Sequence, residues 1–456
     1  MVHTDSRRRA FTKSETDVVL IYPYFHREPA WRKLWLFPPI GLGYLASTLL
    51  KNGISVKILD GTFMNLEELI RKAKELAPRI AGIYCMVTMR DDAISIAREL
   101  RKSPDKPLLI AGGPFPTSEP EAFTGEFDAV VLGEGEATML EIAKRHLGGE
   151  GISDISGIAT KENRGQRRAF IENLDRIPHP ARHLFDNQKY KQHWQKKFGY
   201  TCAPVITTRG CPYSCDYCAR PVFGNRYRER GIQDVADEIE EVLGLGYNRV
   251  WFSDDVFTLN RKRILGLCDE IKKRGLKFGW DCLCRVDNVD QGLFDRMHEA
   301  GCERVFFGIE SGDNGILKLM GKTFTSEEAK AAVGMAKSAG IQAGTFFMVG
   351  YPGETEETIL RTLRFSSRLP SDYLSYTLPY PLPGTGLYRR LEHRLTRKEW
   401  KMAGHNLLMF HGDFSQPKLR FAIYKGMVQH RLRKYGLERE AIIFEKITDP
   451  VFRWLK

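Results

Sequence analysis

Residues 209–218 read RGCPYSCDYC and bring Cys211, Cys215 and Cys218 together at spacing C-x3-C-x2-C. Thiolates this close are metal ligands by type, and three of them can hold zinc or an iron–sulfur cluster. A structural zinc site is four-coordinate and closed, yet no fourth cysteine follows nearby. A cubane cluster held by three thiolates would keep one iron open to a substrate. The triplet follows the apolar run APVITT. It therefore falls on the loop at a strand's C-terminal end, the face on which βα barrels place their chemistry.

Other chemically capable residues sit at the ends of later apolar runs. WFSDDVFTLN (251–260) ends a strand in Asp254 and Asp255, and CLCRVDNV ends one at Arg285. FGIESGD (307–313) supplies Glu310 and Ser311, and FFMVGYPGET (346–355) supplies Gly350 in a glycine-rich turn. A guanidinium at such a rim can grip a carboxylate as a fork. Tyr217 is expected to pack over the cysteine loop. Cys85, Cys202, Cys268, Cys282, Cys284 and Cys302 read as buried apolar residues. Cys282 and Cys284 are expected on opposite faces of a strand, where they form no ligand pair.

Two runs of alternating strands and helices position these residues. Apolar stretches at 17–23, 55–60, 80–86, 107–113 and 127–135 read as buried strands, with helical periodicity between them. That alternation predicts a doubly wound parallel sheet, an α/β fold. Its strand ends carry Asp60 in LDGT, Thr88, Gly112, Gly113 and Pro114 in AGGP, and Glu134 in LGEGE. Open α/β sheets bind ligands at such ends. Residues 148–200 break the rhythm, with a hairpin expected around GIATKENRGQRRAFIE and a connector in RIPHPARHLF. The alternation resumes with strands near 204–208, 248–252, 277–282, 303–307, 342–348 and 373–378. Six βα steps fall short of the eight in a closed barrel, so an open, partial barrel is expected. The expected divisions are 15–150, a connector at 151–198, the barrel at 199–388 and a helical, basic region at 389–456.

Bulk composition agrees. At 456 residues the chain exceeds one average domain. The nine cysteines are odd in number and partly clustered, which suits a reducing compartment better than a disulfide framework. The polar N-terminus MVHTDSRRRAFTKSETD has no apolar segment behind it, and LWLFPPIGLGYLASTLL (34–50) is broken by Pro38 and Pro39. A soluble, cytoplasmic protein without a membrane span is expected. The net charge is +12, and residues 389–456 hold 16 Lys/Arg against 7 Asp/Glu. That excess reads either as a solvated helical face or as attraction to an acidic partner. No nucleic-acid-binding signature accompanies it.

The cysteine triplet, with an aromatic before its last cysteine and heading a six-step βα unit, resembles the radical S-adenosylmethionine (SAM) enzymes across residues 200–390. The resemblance implies that Cys211, Cys215 and Cys218 ligate a four-iron four-sulfur cluster. The missing ligand is then SAM, which the open iron cleaves to a 5′-deoxyadenosyl radical. It further implies SAM contacts at Asp254, Asp255, Arg285, Glu310, Ser311 and Gly350. A doubly wound sheet ahead of such a barrel is similar to the cobalamin-binding subclass, over residues 15–150. The resemblance places the nucleotide tail near Asp60, Thr88, Gly112, Gly113, Pro114 and Glu134. Where the general cobalamin fold has Asp-x-His-x-x-Gly, this chain reads LDGTFMN, and no histidine follows Asp60. The implied cofactor state is base-off, without a histidine on cobalt.

With these cofactors the resemblance implies an anaerobic C-methyltransferase, moving a methyl group from methylcobalamin to an unactivated carbon by way of a substrate radical. An electron donor such as flavodoxin or ferredoxin is expected. The substrate is unidentified; a protein or peptide is one expectation, and the glutamine methylated in methyl-coenzyme M reductase a particular one. Two alternatives stand beside it. One is ring closure or rearrangement without net methylation, as in the anaerobic cyclases of tetrapyrrole synthesis. The other is a corrinoid-binding or sensor module with an inactive barrel. A methylthiotransferase would need three further cluster cysteines before residue 200, and only Cys85 lies there.

Overall fold

The computed structural model of the protein describes residues 16–25, 35–396 and 408–455. The basic N-terminal stretch, Leu34 and the start of the tail segment at 405–415 therefore lie outside the described residues. The chain falls into two compact units. One takes residues 1–32, 39–170 and 177–186, and the other takes 33–38, 171–176 and 187–456.

The first unit is a six-stranded sheet of order β2-β1-β3-β4-β5-β6. Its strands are β1 (Val18–Tyr22), β2 (Val56–Asp60), β3 (Ile80–Tyr84), β4 (Leu108–Gly112), β5 (Ala129–Val131) and β6 (Ile158–Ala159). The first five are mutually parallel and β6 runs antiparallel to β5. Val18 to Ile21 are buried without alternation, as befits a strand covered on both faces. Helices Ile40–Lys51 and Glu136–Leu147 bring Leu42, Ala46, Leu49, Met139 and Ile142 into one core with Val18, Leu20 and Ile110. Asn65 starts helix Leu66–Glu75 by accepting from the Glu68 amide at 2.8 Å. The chain reverses within the expected hairpin, Gly157 N donating to Gln166 O at 3.0 Å and Thr160 N to Asn163 O at 2.7 Å, and its strand Ile158–Ala159 also pairs with the edge of β5.

The second unit contains a parallel sheet of order β14-β13-β12-β11-β10-β7. These strands are β7 (Cys202–Val205), β10 (Arg249–Phe252), β11 (Gly279–Cys284), β12 (Cys302–Glu310), β13 (Gln342–Met348) and β14 (Tyr373–Thr377). A two-residue ladder, β8 (Thr208–Arg209) against β9 (Arg228–Glu229), stands at the base of the cysteine loop. Strand β7 and strand β14 are the two edges, so six βα steps make an open, partial barrel. Early in the strands, buried Asp281 accepts from Arg249 at 2.7 and 2.8 Å and from Arg304 at 2.6 and 3.0 Å. Charges this deep persist only when fully paired, and the pairing fixes the mutual register of β10, β11 and β12.

Two helices, Gln416–Lys434 and Glu438–Trp454, follow the barrel and contribute Leu419, Ala422 and Phe452 to its core. Among the described residues no helix is long and apolar enough to cross a membrane. One expectation about side chains fails. Residues two apart on a strand share a face, and the sulfurs of Cys282 and Cys284 lie 3.6 Å apart in the core that also holds Cys268 and Cys302.

Candidate functional site

The cysteine loop leaves β7 and is braced from below by Asp254. This fully buried carboxylate, at the end of β10, accepts from the Thr207 and Thr208 amides at 2.6 and 3.0 Å and from the Thr207 hydroxyl. Burial raises its pKa against those donors and Arg263. Both oxygens are therefore committed to the loop entrance. Its neighbour Asp255 is exposed and close enough to Cys211 and Cys218 to act on both thiols. Of the two acids, Asp255 is the one left facing the triplet.

The loop itself is folded around Arg220, which donates to the carbonyls of Cys211 and Tyr213. The Cys211 thiol is pushed up, by burial first and then by Asp255 and Cys215, while the Tyr213 amide and Arg220 oppose. Thiols in this setting keep their protons until a cationic partner arrives. Among the described residues no three His, Cys, Asp or Glu side chains converge on a single metal ion. Three thiols with no fourth donor suit a cluster, whose thiolates bind separate irons, better than a closed zinc site.

Arg285, ending β11, stacks on the Tyr213 ring at 3.5 Å from its centroid and reaches to 3.9 Å from the Cys215 sulfur. Its fork grips Asp287 at 3.0 and 2.8 Å, with Thr323 at 2.8 Å. It braces the loop. Glu310, ending β12, holds φ 78°, a left-handed geometry that costs a non-glycine residue roughly 1–2 kcal/mol. Its carboxylate accepts from the Tyr217 hydroxyl at 2.8 Å and lies 3.5 Å from Lys322 Nζ. Tyr217 thus does more than pack: it ties the triplet to the rim. Ser311 points away from the rim, sharing a hydrogen bond with Thr362 at 3.0 Å.

Gly350 has φ 83°, and a Cβ there would meet Leu419 at 2.5 Å. The amides of Gly350 and Tyr351 donate to one oxygen of buried Glu354 at 2.6 and 2.9 Å. Its other oxygen has no partner among the described residues, and burial raises its pKa to about 8 against those amides.

A further knot ties the triplet to the far side of the barrel. Asp216 accepts from the Tyr351 hydroxyl and from Arg390, each at 2.6 Å. Its amide donates to Met320 O, and its carbonyl accepts from the Leu387 amide, both at 3.0 Å. Loops following β12, β13 and β14 thereby converge on one residue between two cysteines. Sequence reasoning missed Asp216, Lys322 and Glu354. Lys322 and Glu354 sit beyond the strand ends, and only the polarity of the residue between Cys215 and Tyr217 hinted at Asp216.

In the first unit the named residues lie at or just beyond the carboxyl ends of β2 to β5. Asp60 accepts from the Thr62 amide at 3.0 Å and from its hydroxyl at 2.7 Å, so it shapes its own turn. Thr88 lies in the short 3₁₀ turn Val87–Met89, and Glu134 in the loop after β5. Gly112 ends β4; Gly113 follows with φ 105°, and a Cβ there would stand 2.9 Å from Cys85 O. Only glycine fits that turn, and Pro114 then begins a short helix. Sheet order reverses between β1 and β3, where Tyr22 and Tyr84 pack with ring centroids 5.5 Å apart. The stretch after β2 reads LDGTFMN, with no histidine following Asp60.

The chain thus joins a parallel α/β sheet in one unit to a βα barrel with a three-thiol loop in the other. Residues 205–366 match the Radical SAM superfamily, and residues 36–143 match the B12 binding domain. An uncharacterized methyltransferase of Pyrococcus horikoshii is 35% identical over 365 residues, covering 77% of this chain and 78% of that protein. The anaerobic magnesium-protoporphyrin IX monomethyl ester cyclase of Rubrivivax gelatinosus is 29% identical over 394 residues, 82% of this chain and 70% of that one. The structure of OxsB, a cobalamin-dependent S-adenosylmethionine radical enzyme, superposes with a TM-score of 0.76 at 18% identity, covering 94% of this chain and 72% of that one. This chain belongs to the cobalamin-dependent radical SAM enzymes, in their methyltransferase-like family.

Proposed function

We propose that this protein is a radical SAM C-methyltransferase acting on an unactivated carbon. The observation that carries the reading is one chain with both a braced three-thiol loop and a B12-type sheet with no histidine following Asp60. When bound, the cluster and SAM supply a radical-generating reductant and cobalamin a methyl carrier. Cys211, Cys215 and Cys218 hold the cluster. Arg285, Asp254 and Asp216 position that loop, and Asp255, Glu310 and the Gly350 turn line the SAM side. Asp60, Thr88, Gly112, Gly113, Pro114 and Glu134 frame the cobalamin tail. The absence of a histidine after Asp60 in LDGTFMN supports the base-off, histidine-off state.

The finer proposals are a cytoplasmic setting, a flavodoxin or ferredoxin donor, and a protein or peptide substrate such as the glutamine of methyl-coenzyme M reductase. The divisions 15–150, 151–198, 199–388 and 389–456 are proposed as the functional ones. A second reading, cyclisation without net methylation, rests on the likeness to the Rubrivivax cyclase.

Iron and cobalt per chain, measured on protein made anaerobically with cobalamin, test the proposal. About four irons and one cobalt are expected. Iron without cobalt would remove the methyl carrier and favour rearrangement. A substrate mass gain of one methylene, dependent on SAM, then separates methylation from cyclisation. Electron paramagnetic resonance of the one-electron-reduced corrinoid form is expected to show no nitrogen superhyperfine splitting; clear splitting would refute the histidine-off claim.

A further inference from the structure

The two C-terminal helices are fastened along their inner faces only. Leu419 and Ala422 of the first and Ala441 and Phe452 of the second are buried. Between the helices, Lys425 Nζ lies 2.7 Å from both Asp449 and Thr448, and Arg433 pairs with Glu445 at 2.6 Å. These pairs tie the hairpin together, although buried Gln429 and the Nδ1 of His430 on the first helix find no hydrogen-bond partner among the described residues.

The outer face of Glu438–Trp454 carries a row of exposed apolar side chains that begins three residues after exposed Glu440. Ile443, Ile447, Val451 and Trp454 fall on one stripe and are 57, 63, 41 and 81% exposed. Single exposed apolar side chains are ordinary, but a contiguous row marks an interaction surface. Arg439, Lys446 and Arg453 are all exposed and recur every seven residues. Seven residues return a helix to nearly the same angle, so these cations form a second row flanking the first. Arg453 also meets Glu357 at 2.8 Å, an exposed pair that holds it weakly. On the preceding helix Tyr424 and Tyr435 are exposed as well, with Arg431 beside them in the last turn.

We propose that this face docks the protein on the surface of a bilayer containing anionic phospholipid. The apolar row lies among the upper acyl chains and the cationic row at the headgroups. Three features select this occupant. A second copy of the helix would bring its own basic row against this one, an arrangement that repels. The side chains project from a helical hairpin, which a fluid interface accommodates without a preformed groove. Tryptophan and tyrosine, apolar in body and polar at the tip, suit the headgroup boundary. The surplus of 16 Lys/Arg over 7 Asp/Glu in residues 389–456 adds a general attraction of the same sign. Docking of this kind is peripheral and requires no spanning segment.

Cosedimentation of the full-length protein with vesicles tests the proposal without reference to its chemistry. Vesicles of phosphatidylcholine mixed with phosphatidylglycerol should bind it, and phosphatidylcholine alone should bind far less. Arg439→Gln and Lys446→Gln should each weaken binding to the mixed vesicles roughly fivefold. The double variant Ile443→Ser, Ile447→Ser should abolish binding with an unchanged melting midpoint, since neither residue packs inward. No binding to mixed vesicles would overturn the proposal, as would equal binding to both lipids. Self-association lost on Ile447→Glu, without vesicle binding, would reassign the face to a second copy. Capture by immobilised ferredoxin or flavodoxin through these residues, again without vesicle binding, would reassign it to an acidic protein; either result rejects the bilayer.

Discussion

Glu354 is a carboxyl group placed where its charge is unwelcome. Burial lifts its pKa from the usual 4.5 to about 8, so between those values the folded chain keeps a proton that the unfolded chain releases. Stability from this group is full below about pH 4.5 and falls as pH rises toward 8, by at most about 1.4 kcal/mol per pH unit. Glu354→Gln keeps an oxygen for the Gly350 and Tyr351 amides and should flatten that decline. Urea midpoints measured across this range check it; parallel slopes for the two proteins would show the carboxyl already ionised. At the same scale, Tyr217→Phe removes the hydroxyl that Glu310 accepts at 2.8 Å. The expected result is retained iron with an altered cluster resonance on adding SAM. An unchanged spectrum would leave Tyr217 as packing alone.

Among the elements, the cysteine loop stands out because nearly everything around it exists to hold it. The Asp216 knot links it to segments following three different strands. Arg390 is nearly half exposed, so its bond to Asp216 contributes about 1 kcal/mol or less, whereas Tyr351 is almost fully buried. Asp216→Ala should therefore speed amide exchange across 211–218 roughly tenfold, leaving the amides of β10 to β13 unchanged. Exchange that stays at the native rate would mean Arg220 and Arg285 suffice. Strands were legible because covered parallel strands are continuous apolar runs, as at Val18–Ile21. The loop's bracing was not legible. A strand-end pair such as Asp254 and Asp255 looks symmetrical in sequence, and only the fold shows one turned to Thr207 and the other to the cysteines. The pairing of Ile158–Ala159 with β5 was hidden for a similar reason, since a two-residue strand has too little pattern to reveal its partner.

At the scale of the whole molecule, the two proposed cofactor sites should fail separately. Gly113→Ala forces a side chain against Cys85 O and should lower cobalt content while iron stays near four per chain. Replacing Cys211, Cys215 and Cys218 with alanine should do the opposite and end 5′-deoxyadenosine formation. Joint loss in either variant would mean that one unit cannot keep its fold without the other's cofactor. The composition of the chain makes such tests unusually easy to read. Seven of the nine cysteines are buried, leaving Cys215 partly exposed and Cys218 exposed. A chromogenic thiol reagent mixed with the native apo chain would accordingly colour two sulfurs first, both in the loop and at a rate that climbs with pH because burial pushes the Cys218 thiol up to about 11, and the rest only after denaturant. The protein thus carries its own occupancy meter: the fast colour should fade as the cluster is installed and return when it decays in air.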